Sequence, residues 1–335
     1  MKLIEIKTYL NRKVNQLYSL INNDLTKPNS IHLCVTHNCC LSCKHCDIWK
    51  IKDERKELTT EQLKDVILKL KKWLGPFNLN ISGGEPFLRD DLVDVIKFSQ
   101  KISVAITVTT NGVLINEELA EKIAKSGVKN LNISLDGFEE KHDHIRNRKG
   151  VYDKSVKAIN YFKNYKIPVY LATVITKYNL EELSDMVRFA KNNNLDGINF
   201  QPLMQNFGAE YNASWHNKNE FWPEDKEKIE NSINKIIELK KKGMPIINST
   251  KQLELMKIYF LNPNEHASLR CLVGEKNFSI NEYGEVMLCF FMKHIGNITK
   301  EDPKNIWDSE EAKIRKKQID LCKRNCDLLN CNFTK

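Results

Sequence analysis

The stretch Ile31-His32-Leu33-Cys34-Val35-Thr36-His37-Asn38-Cys39-Cys40-Leu41-Ser42-Cys43-Lys44-His45-Cys46 decides how the rest of the chain is read. Ile31 to Val35 is a short apolar, β-rich run of strand length. Directly after it, Cys39, Cys43 and Cys46 follow at C-x3-C-x2-C spacing. Three thiolates on one short loop can converge on one metal cluster. A four-iron cubane held by three cysteines leaves one iron without a protein ligand, and an open iron is where chemistry occurs. The alternative at this point is zinc, which more often takes C-x2-C pairs and four ligands. Cys34 and Cys40 read as small buried side chains beside the triplet.

Outward from this loop the chain repeats one pattern, a short β-rich run followed by a charged amphipathic stretch. Strands are predicted at Ile31 to Val35, Asn78 to Ser82, Val104 to Thr109, Asn130 to Leu135, Val169 to Val174 and Gly197 to Leu203. Helical stretches between them include Thr60 to Leu74, Asn116 to Lys125, Val151 to Asn164 and Leu180 to Asn193. Thr59-Thr60-Glu61-Gln62 and Asn116-Glu117-Glu118 read as helix starts, an N-cap oxygen followed by acids that suit the unpaired amides of a first turn. Successive β-then-α units imply a buried parallel sheet with helices outside. They fit a partial barrel or an open doubly wound sheet, and in both layouts ligands gather at the C-terminal ends of the strands.

Residues 1–25 read as a helix ending before Thr26-Lys27-Pro28-Asn29. After Leu203 an aromatic and Asn-rich linker leads to helices at Glu224 to Lys242 and Thr250 to Leu261. A different module begins near Arg270, where Asn277 to Asn281 and Glu285 to Leu288 flank a hairpin turn, Glu282-Tyr283-Gly284.

Composition narrows the class. The 335 residues carry 52 Lys plus Arg against 43 Asp plus Glu, a net charge of +9, with ten cysteines. No stretch approaches the roughly 20 apolar residues of a membrane helix. The first residues, Met1 to Lys7, mix charge with apolar side chains and lack a signal-peptide pattern, so a cytoplasmic location is expected. In that reducing compartment, clustered thiols bind metal or do redox chemistry more often than they form structural disulfides. The lysine runs lie in Glu-containing helical stretches and read as solvated faces rather than a nucleic-acid patch.

Four motifs in register carry a resemblance: the cysteine triplet, Ser82-Gly83-Gly84-Glu85-Pro86 after the second strand, Thr110-Asn111-Gly112 after the third, and Ser134-Leu135-Asp136-Gly137 after the fourth. Together they resemble the radical S-adenosylmethionine (SAM) superfamily, which implies an α/β fold, a partial (β/α)6 TIM-like barrel. The resemblance implies a catalytic 4Fe-4S cluster on Cys39, Cys43 and Cys46, with the methionine amine and carboxylate of SAM on the open iron. It also implies cofactor contacts from Gly83, Gly84, Glu85, Pro86, Asn111, Ser134, Asp136, Arg146, Gln201 and Leu203. Gly83 and Gly84 let backbone approach a ligand, Glu85 offers acceptors to an ammonium, and the planar Arg146 guanidinium suits a carboxylate. His45 stands where the family usually carries an aromatic beside the adenine.

The second cysteine group is Cys271-x12-Gly284-x4-Cys289, then Cys322-x3-Cys326-x4-Cys331. Its opening resembles the SPASM and twitch modules that hold auxiliary 4Fe-4S clusters. Five thiols ligate one cubane and leave one spare, with structural zinc as the alternative. The expected organisation is an N-terminal helix at 1–30, a barrel at 31–245 and a small C-terminal twitch/SPASM-like domain at 246–335. The resemblance implies hydrogen abstraction from a substrate C–H bond, a peptide or protein being favoured over a sugar, aminocyclitol or cofactor precursor. A reductant such as flavodoxin or ferredoxin is an expected partner. A non-catalytic or RNA-directed iron-sulfur or zinc protein is the rival of another class.

Overall fold

A computed structural model of the chain describes residues 26–205, 212–265 and 270–326, together with Ile6 and Leu10. The helix expected over 1–25 otherwise lies outside the described residues, as does Cys331.

Six strands form in chain order: β1 (Ser30–Cys34), β2 (Phe77–Ser82), β3 (Val104–Thr110), β4 (Asn130–Ser134), β5 (Val169–Ile175) and β6 (Gly197–Pro202). Each pairs in parallel with the next, through registers such as Ile31 with Leu79, Leu79 with Ile106, and Ile133 with Leu171. The order runs from β1 to β6 without a reversal. A doubly wound sheet needs a switch point where strand order turns back, so this sheet is the partial barrel.

The alternation along each strand explains the layering. In β2, Phe77, Leu79 and Ile81 are buried, while Asn78, Asn80 and Ser82 are half-buried. The apolar set packs under helices α1 (Thr60–Leu74), α2 (Leu92–Lys101), α3 (Glu117–Lys125), α4 (Glu139–Arg146), α5 (Val151–Phe162) and α6 (Leu183–Asn192), forming one continuous core. Between β3 and β4 the face turned away from the helices is polar: Thr107 Oγ1 donates to Asn130 Oδ1 at 2.7 Å, and Asn132 Nδ2 to Thr109 Oγ1 at 3.2 Å. The strands are therefore not apolar on both faces.

Local capping sets where the helices begin. Thr59 and Gln62 close a reciprocal capping box on α1, and the Asn116 side chain accepts from Leu119 N on α3. Beyond β6, α7 (Lys226–Lys241) is followed by Ile246, which bridges in parallel to Ile198. Asn248 then grips Phe200 through both its backbone N–H and its carbonyl, at 2.7 and 2.9 Å. Residues 245–248 thus extend the barrel edge, and α8 (Thr250–Leu261) packs against α7.

The hairpin forms as β7 (Asn277–Ile280) and β8 (Glu285–Met287), antiparallel, with Gly284 at φ 81° in the turn. Sequence patterning did not anticipate its second pairing: β7 lies parallel to β1, on the side opposite β2. The C-terminal module is thereby welded to the strand that feeds the cysteine loop. Among the described residues, no helix is long and apolar enough to cross a membrane.

Candidate functional site

The loop leaving β1 is built by close backbone approach. Gly84 N donates to Thr36 O and Glu85 N to Asn38 O, both at 2.8 Å. A Cβ on Gly84 would stand 2.7 Å from His37 O and closer still to the Asn38 carbonyl, and one on Gly83, at φ 140°, would overlap the Thr36 carbonyl. The glycine pair is required here because it cradles the cysteine loop itself.

Glu85 is fully enclosed. Its carboxylate accepts from Thr110 Oγ1 at 2.7 Å, Asn111 N at 2.8 Å and Phe87 N at 3.2 Å, tying the ends of β2 and β3 together. Burial pushes its carboxyl up to about 7 against these donors. Pro86 opens the following short 3-10 turn, Pro86–Leu88. Asn111 turns its amide to the cysteines, with Nδ2 3.5 Å from Cys40 Sγ and 4.0 Å from Cys39 Sγ. A hydrogen bond from Cys39 and the amide of Asn111 hold the Cys40 thiol below its ordinary value, against burial.

A second group closes on the triplet from β4 and α4. Asp136 is fully buried, and its Oδ1 accepts from Val174 N at 2.9 Å. Its Oδ2 stands 2.7 Å from Arg146 Nη2, an ion pair whose angle lies outside hydrogen-bond geometry. Arg146 Nη1 donates to Cys43 Sγ at 3.8 Å. Burial works against the Arg146 charge, and the Asp136 carboxylate with the thiols of Cys43 and Cys46 more than offsets it. Burial lowers both His45 and His142 to about 4. Arg146 Nε, His142 Nε2 and His45 Nδ1 are buried with no hydrogen-bond partner among the described residues. Such orphaned polar atoms around a thiol loop are what a polar ligand would satisfy.

The other expected cofactor residues scatter. Ser134 ends β4 half-buried, and Gln201 is exposed on β6. Leu203 is 2% exposed in the core, and its carbonyl accepts from Tyr259 Oη at 3.0 Å. In the described part of the aromatic linker, Phe221 and Trp222 are buried, and Trp222 packs edge-on against Tyr259 at 5.2 Å. His216 is buried beside Trp222, and His294 faces Glu285 at 3.6 Å.

In the tail, burial pushes the Cys289 thiol up to about 11, and the nearby thiols of Cys271 and Cys322 add to the push. These three therefore share one neighbourhood. Cys326 lines a half-open surface cavity with Met204, Trp215, Tyr259, Phe291 and Arg324. Met204, two residues beyond the end of β6, brings this cavity's wall to the C-terminal side of the sheet. Among the described residues, no three His, Cys, Asp or Glu side chains lie close enough to hold a single metal ion.

Sequence reading missed a polar knot beneath the loop. His37 Nδ1 is 3.2 Å from Glu57 Oε1, 3.4 Å from Glu282 Oε1 and 3.0 Å from Tyr283 Oη. It joins the triplet loop to the hairpin turn, and only the β1–β7 pairing brings its members together.

A sequence profile of the radical SAM superfamily matches residues 33–190, and one of an iron-sulfur cluster-binding domain, SPASM, matches 271–331. An AdoMet-dependent heme synthase of Methanosarcina barkeri is 26% identical over 314 residues, 90% of this chain and 87% of that protein. A PqqA peptide cyclase of Bradyrhizobium diazoefficiens is 28% identical over 49% of this chain, a match spanning only 43% of the cyclase. The crystal structure of Streptococcus suis SuiB bound to precursor peptide SuiA superposes with a TM-score of 0.68 at 16% identity, covering 90% of this chain and 69% of SuiB. That likeness shows the fold. Four strand-end motifs gathered on one cysteine loop, with both profiles in chain order, place this protein in the radical SAM superfamily, SPASM/twitch branch, whose cofactors are a catalytic 4Fe-4S cluster, an auxiliary 4Fe-4S cluster and S-adenosylmethionine.

Proposed function

We propose that this chain is an enzyme that cleaves S-adenosylmethionine reductively and abstracts hydrogen from a C–H bond of a peptide or protein substrate, leaving it oxidised or cross-linked. The observation that carries the reading is the convergence of strand ends on the triplet: Gly84 and Glu85 on its backbone, Asn111 on Cys39 and Cys40, Arg146 on Cys43. Cys39, Cys43 and Cys46 would hold the catalytic cluster, whose donor set of thiols suits iron-sulfur ligation. When bound, it supplies the electron that breaks the cofactor's carbon-sulfur bond and yields a 5'-deoxyadenosyl radical.

The remaining steps belong to the chain. Backbone at Gly83 and Gly84, the Glu85-braced turn and Ser134 would orient the cofactor, and the orphaned nitrogens of His45 and His142 would meet its polar groups. Cys271, Cys289 and Cys322 with one of Cys326 and Cys331 would hold the auxiliary cluster, in a domain that starts after Leu261, since residues 245–248 complete the barrel edge. The mouth cavity would seat the substrate side chain against Trp215, Tyr259 and Phe291. A peptide is supported by the name of the PqqA peptide cyclase, and by an aromatic wall that suits a protruding side chain. An acidic flavodoxin or ferredoxin would supply electrons.

One observation favours a second reading. The heme synthase matches nearly end to end, and Arg324 in the cavity wall would pair with the carboxylates of a tetrapyrrole. Anaerobic reconstitution followed by dithionite, S-adenosylmethionine and each candidate separates the two. A mass change in a peptide supports the first reading, and a mass change in a tetrapyrrole supports the second. Absence of 5'-deoxyadenosine in both would refute the cleavage itself.

A further inference from the structure

We propose that Arg146 is a positioning residue for the cluster rather than a clamp for the cofactor's carboxylate, and that it raises the reduction potential of the cluster through Cys43. The inference rests on Cys43 being a cluster ligand. A guanidinium has two ends and an Nε–H to offer a partner. Here Nη2 faces Asp136 Oδ2 at 2.7 Å and Nη1 donates to Cys43 Sγ at 3.8 Å, so both terminal nitrogens already face protein groups, and only the buried Nε–H lacks a partner among the described residues.

The arrangement is held from several sides. Asp136 Oδ1 accepts from Val174 N on β5, and its backbone N–H donates to His142 Nδ1 at 3.0 Å. Arg146 lies in the last turn of α4, whose chain then reverses at Asn147 with φ 56°. Asp136 and Arg146 are 0% and 8% exposed, so turning the guanidinium to another carboxylate would strand a buried one.

A fixed positive charge beside a ligand thiolate favours the state carrying the added electron, and solvent screens it little at this burial. Hydrogen bonds to ligand sulfurs act in the same direction. Asp136 opposes this effect by partly neutralising the guanidinium. The two residues therefore push the one-electron couple in opposite directions.

The test uses the full-length reconstituted protein. Its potential is titrated without S-adenosylmethionine and followed by electron paramagnetic resonance, and the catalytic cluster is identified as the component whose signal changes when the cofactor is added. Cofactor affinity is measured separately by equilibrium dialysis of the oxidised protein. R146Q is expected to lower the midpoint of that component and D136N to raise it, with R146K between R146Q and wild type. In R146Q the cofactor Kd should stay within about twofold, well short of the tenfold that about 1.4 kcal/mol of lost contact produces.

An unchanged midpoint in R146Q with tenfold weaker cofactor binding would overturn the proposal in favour of the carboxylate clamp. Where R146Q fails to load iron, D136N decides it, because a midpoint there that matches wild type also overturns it. A C43A variant that keeps the cofactor-sensitive signal would instead refute the ligand assignment beneath it, a distinguishable result.

Discussion

Gly84→Ala should damage the cysteine loop far more than its single methyl suggests. The added Cβ would meet the carbonyls of Asn38 and His37, which are backbone atoms and cannot swing aside as a side chain would. Relief requires the loop to withdraw, which breaks the 2.8 Å hydrogen bonds Gly84 N to Thr36 O and Glu85 N to Asn38 O. Each bond contributes about 0.5–1.5 kcal/mol, and overpacking costs about 1–3 kcal/mol, for a total of about 2–6 kcal/mol. At about 2–4 °C per kcal/mol for a domain of roughly this size, the Tm should fall by about 4–24 °C. Gly243→Ala is the comparator: it has φ 78° with nothing within 4 Å of its Cβ, so only backbone conformation is charged, at about 1 kcal/mol. Thermal unfolding of the two variants, with iron counted after reconstitution, checks the reasoning. A Gly84→Ala protein that melts with Gly243→Ala and holds wild-type iron would refute it.

Because the Glu85 carboxyl is raised to about 7 from an ordinary 4.5, the folded state binds its proton more tightly than the unfolded state, and its share of stability is present at low pH and lost as pH rises between those values. Urea unfolding of wild type against Glu85→Gln should show a difference of about 3 kcal/mol developing across that window, and a constant offset would refute the assignment. Wild type should bind about eight irons, with about four lost in a Cys39/Cys43/Cys46 triple alanine variant and about four in Cys271/Cys289/Cys322 triple serine. Iron retained in the second variant would remove those three from the auxiliary site. Trp215→Ala should raise the substrate KM several-fold and leave substrate-free formation of 5'-deoxyadenosine unchanged, because Trp215 lines the mouth cavity and packs edge-on against Trp222 at 5.5 Å. An unchanged KM would take the cavity out of substrate binding.

What could be read from the sequence was local. The strands fall within about one residue of their expected ends, because period-two alternation and the polar stretches after it are properties of neighbouring residues. The helix starts at Thr59 and Asn116 were legible for the same reason, since an N-cap side chain bonds two or three residues ahead. The motif residues after β1 to β4 were legible as a set, because parallel strands deliver their C-terminal ends to one face whatever the loops do. Leu203 and the aromatic linker were less legible. A leucine at a strand end and a tryptophan in a polar linker carry no sign of which side faces the core, and the packing of α7 and α8 settled both.

The sequence by itself determined the repeating β/α units, the cysteine loop at the head of the first, and the family to which those motifs belong. Tertiary structure decided the orientation of the charged groups. Arg146 lies 103 residues from Cys43, and only strand order brings its guanidinium to that thiol rather than into solvent. The pairing of β7 with β1 and the knot of His37, Glu57, Glu282 and Tyr283 likewise join segments far apart in sequence. The physical reason is common to these cases. Propensity and capping act over a few residues, whereas a buried charge takes its partner from whatever element the finished sheet sets beside it.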